Sequence, residues 1–475
     1  MQKYILKRAV YFCLAAFLLS LTLLEVPEAE GQTAPQAPAP TAGSFQGSVV
    51  QGKASAEAIG LSLDDAIQRG LTANLGIILS ENQTSTARGE RLSQLQSLLP
   101  SVDFAARETV SQIDLPAEGF RFPGIPAVIG PFGYTDVRAS LSWSLADLSA
   151  LKNYLAARHN FAAAQLSAQD ARDLVILTVG NAYLLVLADE TAVESAQAQV
   201  ATSQISLNQA IANHEAGTAP KLDELRARVD FQQQEQELIA AQTALEKDKL
   251  ALARTIGLPL EQKFTLTDKA PYAAFDQVDV NTLIAQAQAN RKDLAALVEQ
   301  AAAAAEQRKA ATDERLPTFK ANADYGDIGT TLGHSHGTVD ATGTVSFPLF
   351  KEYGLRGDAE QAQAQLDTAQ AQVSDRRAQV DADVRDALLD IEAAQKQVEV
   401  ARSSVDLANE ALREAQEQYA NGVSDNLPVS QAQQSVAQAN AQYVASLYRH
   451  NVAKLTLARA LGAGENYRNY VKQTQ

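Results

Sequence analysis

The chain has 475 residues, a formal net charge of −16 and an apolar content of 46%, while aromatic residues make up only 6%. Few aromatics together with frequent Ala and Gln favour long helices and coiled coils, whose cores are filled by small side chains. The acidic balance, 56 Asp and Glu against 40 Lys and Arg, excludes a nucleic-acid partner, because a phosphate backbone requires a basic surface.

The N-terminus has the pattern of a secretory signal peptide. A basic start and an apolar stretch from residue 9 to 24 are followed by Ala29-Glu30-Gly31, whose small residues provide a cleavage site. We predict a signal peptide over 1–31 and a flexible leader, rich in Pro, Ala and Gln, over 32–56. The single cysteine, Cys13, lies in the signal peptide, so the mature chain has no thiol chemistry. No later stretch is predicted to span a bilayer as a helix.

The rest of the sequence is predicted to be a tandem duplication. LALARTIG at 250–257 and LTLARALG at 455–462 match at an offset of 205, while Leu-Pro at 99–100 and at 316–317 match at an offset of 217. A loop insertion marked by Pro and Gly residues between 116 and 131 accounts for the difference. The predicted segments are the first repeat (57–257), a linker (258–278), the second repeat (279–462) and a C-terminal tail (463–475).

Each repeat is predicted to contain a helix, two strands, a very long helix, a tight turn and a shorter helix. The long helices carry a heptad pattern with one small and one larger seam residue, such as Ala394 and Val398, which predicts a left-handed coiled coil. This pattern also fits an ordinary coiled-coil dimer or a solvated stalk. The predicted helices are 62–98, 147–214, 221–256, 279–315, 351–420 and 428–462, and the longest measure about 100 Å.

Three of the four predicted strands alternate apolar and polar residues. They cover 135–145, 319–325 and 339–349, whereas the stretch that starts at Val102 alternates poorly. Alternation also fits a soluble, half-buried sheet, but paired strands of about ten residues in an exported chain favour a membrane β-barrel. Four strands cannot close a barrel, and lipid tolerates no unpaired strand edge. The sequence therefore predicts that several copies share one barrel, and three copies would give twelve strands.

Taken together, these features resemble the TolC-like outer-membrane efflux protein family over about residues 57–465. The most local features are Leu-Pro before the first strand of each repeat and Gly-x₄-Leu at each hairpin tip. The resemblance implies a mainly α fold, in which a long coiled-coil α-helical barrel is continued by a trimer-shared β-barrel. It also implies a homotrimeric, passive conduit of a tripartite efflux or type I secretion system, in the outer membrane and extending into the periplasm. The implied partners are outer-membrane lipid, a periplasmic adaptor and an inner-membrane transporter of the RND, ABC or MFS type.

The resemblance also assigns roles to the two hairpin tips. The implied residues of adaptor docking are Gly217, Leu222, Gly422 and Leu427, and both glycines also suit a left-handed helix end. The candidate residues of the entrance gate are Asp223, Asp425, Pro428 and Gln431. Pro428 and Gln431 stand where the family carries acids, so a weaker acidic constriction is expected.

The sequence contains no catalytic motif, so no enzyme activity and no cofactor are predicted. His334 and His336 are weak metal candidates that also fit an exposed outer loop, and His159 and His450 are interpreted as helix-surface residues. Two other classes of protein stay open. One is a surface-anchored, trimeric structural or adhesive coiled-coil protein, and the other is a soluble enzyme with a helical domain.

Overall fold

Long helices dominate the fold, in agreement with the sequence pattern. The structure is a computed structural model that describes residues 42–268, 272, 274–275, 279–330 and 334–471, so the predicted signal peptide lies outside the described residues. The helices are α1 (Leu63–Ala73), α2 (Leu75–Gln96), α3 (Leu148–Glu215), α4 (Lys221–Ile256), α5 (Val280–Asn290), α6 (Lys292–Asp313), α7 (Glu352–Ala420), α8 (Leu427–Ala460) and α9 (Arg468–Val471). The strands are β1 (Ile59–Leu61), β2 (Ser101–Asp114), β3 (Val128–Ala146), β4 (Phe264–Leu266), β5 (Thr318–Gly329) and β6 (Ser335–Ser346).

Two helical hairpins, α3–α4 and α7–α8, contain about half of the described residues. Seam residues of the predicted heptads are buried in α7, among them Val384, Ile391 and Val398, all 2% exposed or less. Small residues such as Ala387 and Ala394 lie between them and are also buried. Burial of this stripe is what holds such long helices together, because helix propensity alone contributes little.

The two predicted helices that precede the strands are each broken into two. Asn74 separates α1 from α2 with an extended backbone (ψ 133°), and Arg291 separates α5 from α6 in the same way (ψ 121°). The Asn74 side chain accepts a hydrogen bond from the Gly76 N–H and donates one to the Phe45 carbonyl, 2.7 Å away. The continuous helices predicted at 62–98 and 279–315 are therefore wrong at these two positions.

Arg291 also joins three helices through a buried ion network. Its side chain is 5% exposed and binds Asp293 of α6 at 2.7 Å and Asp383 of α7 at 2.5 Å. Arg376, two turns before Asp383 on α7, lies 3.5 Å from Asp293. These contacts fix α7 to the broken helix beside it.

Four long strands form one antiparallel sheet in the order β2-β3-β5-β6. The register pairs Phe104 with Ala139 and Trp143 with Ala321, which brings the predicted apolar positions onto one face. Phe104 is 75% exposed, so this face has no covering layer within the protomer. The poorly alternating stretch from Val102 is a strand as well, and Glu108, which interrupts its apolar face, hydrogen-bonds to the Thr135 hydroxyl of β3.

Segments predicted as leader and linker are bound to the helical body. Within the predicted flexible leader, Val49 N–H donates to the Ala73 carbonyl and Gln51 N–H donates to the Gly257 carbonyl, both at 2.9 Å. These hydrogen bonds fix the described end of the leader, which is a correction to the prediction. The linker contributes β4, which pairs in parallel with β1, and its Phe264 is buried.

The main core surrounds the middle of α3. Val175, Val179 and Tyr183 are at most 1% exposed and pack between α1, α4 and α8. Among the described residues, α3 is long and apolar enough to cross a membrane, and 56% of its apolar stretch is buried inside the molecule. The prediction that no helix after the signal peptide has such a composition is wrong for α3, because this helix is the apolar centre of the core.

The predicted position of His450 is also wrong. The sequence interpretation places it on a helix surface, but its side chain is fully buried and its ring lies 5.3 Å from the Tyr272 ring. Tyr272 belongs to the linker, so a distant segment buries this position of α8. His159, in contrast, is partly exposed and its Nδ1 lies 2.7 Å from a carboxylate oxygen of Glu299.

Candidate docking and gating site at the hairpin tips

Both hairpins turn at a glycine in the left-handed region. Gly217 has φ 73° and Gly422 has φ 69°, values that side chains larger than hydrogen rarely adopt. Behind each glycine the chain closes the helix end: Thr218 N–H donates to the Asn213 carbonyl and Val423 N–H to the Gln418 carbonyl, both at 2.9 Å. The two turns thus have the same C-terminal cap.

An apolar groove of about 340 Å³ joins the two tips. Leu222 and Leu427, the two predicted docking leucines, lie on the same groove although they are far apart in sequence. They remain 54% and 42% exposed. The rest of the lining is formed by Leu225, Arg226, Val229, Asp230 and Ser430.

One arginine connects two of the gate candidates. The guanidinium of Arg226 lies 3.6 Å from a carboxylate oxygen of Asp223 and 3.5 Å from one of Asp425. Asp223 is buried at 2% exposure, whereas Asp425 is an exposed residue. A carboxylate oxygen of Asp425 also accepts the Leu427 N–H at 3.2 Å and so caps α8. The tip of the first hairpin is therefore tied to that of the second by a charge pair.

Sequence reasoning missed Arg226. Its position three residues after Asp223 is the one local signal, and the second repeat carries Gln431 at the equivalent offset of 205. The contact with Asp425 spans 199 residues of sequence, so only the folded chain reveals it.

The other two gate candidates lie apart from this charge pair. Pro428 stands in the first turn of α8, where its fixed φ and missing N–H are tolerated. Gln431 is exposed one turn later and its carbonyl accepts the Ser435 hydroxyl at 3.0 Å. Neither joins Arg226 in the ion pairs seen here.

The two weak metal candidates lie at the other end of the molecule. His334 directly precedes β6, and His336 lies within β6 opposite Ile328. His336 is therefore part of a strand and not of the outer loop in which the sequence placed it. Within the ranges that the structure describes, no group of three or more His, Cys, Asp or Glu side chains could hold a metal ion.

The fold has close counterparts among solved bacterial channels. The Campylobacter jejuni CmeC outer membrane channel superposes with a TM-score of 0.75 at 16% identity, over 90% of this chain and 95% of that one. The outer membrane protein VceC from Vibrio cholerae gives 0.73 at 21% identity, over 84% and 96%. The open state of the Neisseria gonorrhoeae MtrE outer membrane channel gives 0.73 at 18% identity, over 91% and 98%. At these identities the likeness establishes the fold alone.

Sequence comparison identifies the family. No curated protein matches the chain in sequence. The family model described as outer membrane efflux protein matches residues 83–258 and 283–463, which cover most of both predicted repeats. The chain therefore belongs to the outer membrane efflux protein family, whose members are located in the outer membrane and extend into the periplasm.

Proposed function

We propose that three copies of this chain form one passive conduit for exported solutes across the outer membrane and the periplasm. The observation that carries the proposal is the four-stranded sheet, which has an exposed apolar face and two open edges, β2 and β6. In lipid, every backbone N–H and C=O needs a partner, so an open sheet is stable only when its edges are paired. Pairing β6 of one copy with β2 of the next closes a twelve-stranded barrel after three copies.

The repeated layout supports a conduit rather than a surface-anchored adhesive stalk. Helix α5 begins and ends 217 residues after α1, and α6 begins and ends 217 residues after α2. These offsets support the proposed tandem duplication. Strands and long helices therefore alternate twice in each copy, whereas a stalk with one barrel anchor needs a single strand group. Twice-repeated hairpins give a wall of helices under the barrel.

The closable end of the conduit is assigned to the hairpin tips. We infer that α7–α8 is the inner hairpin and that the Arg226–Asp425 pair holds it against α3–α4 in the closed state. A periplasmic adaptor would fill the apolar groove lined by Leu222 and Leu427. It opens the entrance only if it binds the outward arrangement more tightly than the closed one.

The chain itself supplies no energy for transport. A tripartite efflux or type I secretion system is the proposed setting, with an inner-membrane transporter of the RND, ABC or MFS type as the energy source. The selectivity for cargo is expected to come mainly from that transporter and from the adaptor. The conduit performs no covalent chemistry.

Single-channel recording of the purified protein in planar bilayers tests this function. We expect a detergent-stable trimer that gives long-lived ion-conducting openings. A stable monomer in detergent would contradict the shared barrel. A trimer that stays sealed in every condition would contradict the conduit and favour the structural, adhesive alternative.

A further inference from the structure

Two aspartates face each other inside the first hairpin. Asp189 of α3 lies four residues before Val193, so it occupies the small seam position of the heptad, and Asp248 lies on α4. The two carboxyl groups lie close enough across the helices to share a hydrogen bond when one of them is protonated. Both residues are half-buried. A hydrogen bond between two carboxyl groups requires that one of them carries a proton.

The second hairpin has alanines at both equivalent places. Ala394 of α7 and Ala453 of α8 stand 205 residues after the two aspartates, and they are 5% and 6% exposed. Two alanines allow close helix contact without any polar group. The aspartates are therefore not required by the hairpin architecture, and at these two places only the first hairpin carries titratable groups.

Among the described residues, no salt bridge joins a cation to Asp189 or Asp248. Tyr448 of α8 faces both carboxyls, and burial together with their charges raises the pKa of its phenol. Glu190 and Lys249, next to the pair on the same two helices, bind each other at 3.0 Å. One carboxylate oxygen of Asp189 is shielded from water and has no hydrogen-bond partner among the described residues. Burial and the contact with Asp248 raise the pKa of Asp189 to about 7.

We propose that Asp189 and Asp248 form a proton-dependent clasp, which holds α3 against α4 when the pair carries one proton and loosens the hairpin when both groups are ionised. The polar seam residue then acts as a switch, a known use of buried polar groups in coiled coils. The clasp lies within one protomer and does not depend on the conduit function.

The direction of the pH effect follows from the two states. When the helices separate, the carboxyls are hydrated and Asp189 returns toward its ordinary value of 3.8. Between about pH 4 and pH 7 the closed pair therefore holds a proton that the open pair does not, so closure weakens as the pH rises through this window. Above about pH 7 Asp189 is ionised in both the closed and the open state, and the effect is complete. From pH 5 to pH 8, linkage allows up to about a hundredfold loss of local closure.

Amide hydrogen exchange of the full mature protein tests the clasp. After correction for intrinsic exchange rates, protection around 186–193 and 245–252 should fall by roughly tenfold to a hundredfold from pH 5 to pH 8. The equivalent segments around Ala394 and Ala453 are the internal control and should keep their protection. The double variant Asp189→Ala/Asp248→Ala copies the second hairpin and should abolish the pH dependence.

A single, more conservative substitution allows the same test if the double variant does not fold. Asp189→Asn keeps a hydrogen-bond donor for Asp248 without a titrating proton, so its protection should be high and independent of pH. Wild-type protection that changes no more than that of the second hairpin would overturn the clasp. So would a pH dependence that persists in either variant. Hydrogen exchange reports on the α3–α4 hairpin alone. Loss of channel activity or of the trimer would therefore contradict the proposed function, but it would not produce either of the two exchange results that overturn the clasp.

Discussion

Neutralising Asp425 tests the proposed latch between the two tips. The Asp425→Asn substitution removes the attraction to Arg226, 3.5 Å away, while an amide oxygen can still accept the Leu427 N–H that caps α8. The buried Asp223 keeps its own contact with Arg226. The substitution therefore removes the link between the hairpins and leaves each tip otherwise intact.

The size of the effect follows from exposure. The side chains of Arg226 and Asp425 are 35% and 55% exposed, and an exposed pair of this kind contributes about 0.2–1 kcal/mol. Three tips in a trimer together contribute about 0.6–3 kcal/mol, if their contributions add. The ratio of open to closed channels should rise by about threefold to 150-fold. High salt should reduce the difference, because exposed charge pairs are screened.

Single-channel recording measures this ratio as the fraction of time that the wild-type and Asp425→Asn trimers spend open. Glu392→Gln is the matched control. Glu392 pairs with Lys396 at 2.6 Å, one turn later on the same helix, so this ion pair does not join two helices. The control should behave as wild type. An Asp425→Asn channel with wild-type open time and wild-type salt dependence would show that this pair does not hold the entrance closed.

Three further substitutions test the interior and the turns. Arg291→Met should lower the free energy of unfolding by about 3 kcal/mol, because it removes the cation from a pair in which the Arg291 and Asp293 side chains are only 5% and 14% exposed. Arg385→Met, at an exposed pair, should cost under about 0.5 kcal/mol, and equal losses in urea unfolding would contradict the buried network. Val398→Glu places a charge at a seam residue that is 2% exposed, so the coiled coil should loosen and the resting conductance should rise. Well-assembled trimers with unchanged conductance and antibiotic sensitivity would show that Val398 does not lie in the closed seam. Gly217→Ala should cost about 1 kcal/mol of stability through its left-handed backbone alone, because the added methyl meets no atom within 4 Å; a neutral result in the same urea assay would argue against this strain.

The long helices could be predicted because their signal is local and repeated. Heptads place the predicted helices 147–214 and 351–420 within one residue of α3 and α7 at each end. The breaks at Asn74 and Arg291 could not be predicted in this way, since neither residue is Gly or Pro. Their extended backbone is stabilised by distant partners, such as the Phe45 carbonyl and Asp383.

The candidate site shows the same division between local and distant signals. The left-handed turns at Gly217 and Gly422 follow from residue type and spacing. The role of Arg226 does not, because its partner belongs to the other repeat. The burial of His450 likewise depends on Tyr272, which comes from the linker and not from α8 itself.

The C-terminal tail has a consequence for how the protein is made. Tyr467 is 4% exposed in the main core, and its hydroxyl hydrogen-bonds to Asp64, which lies 403 residues earlier in the first turn of α1. Contacts of such long sequence separation form late, because the intervening chain must first be brought together. A chain that is still being translocated across the inner membrane thus lacks the last piece of its central core. We expect the central core of the protomer to be complete only after the segment that carries Tyr467 has crossed the membrane and packed against α1.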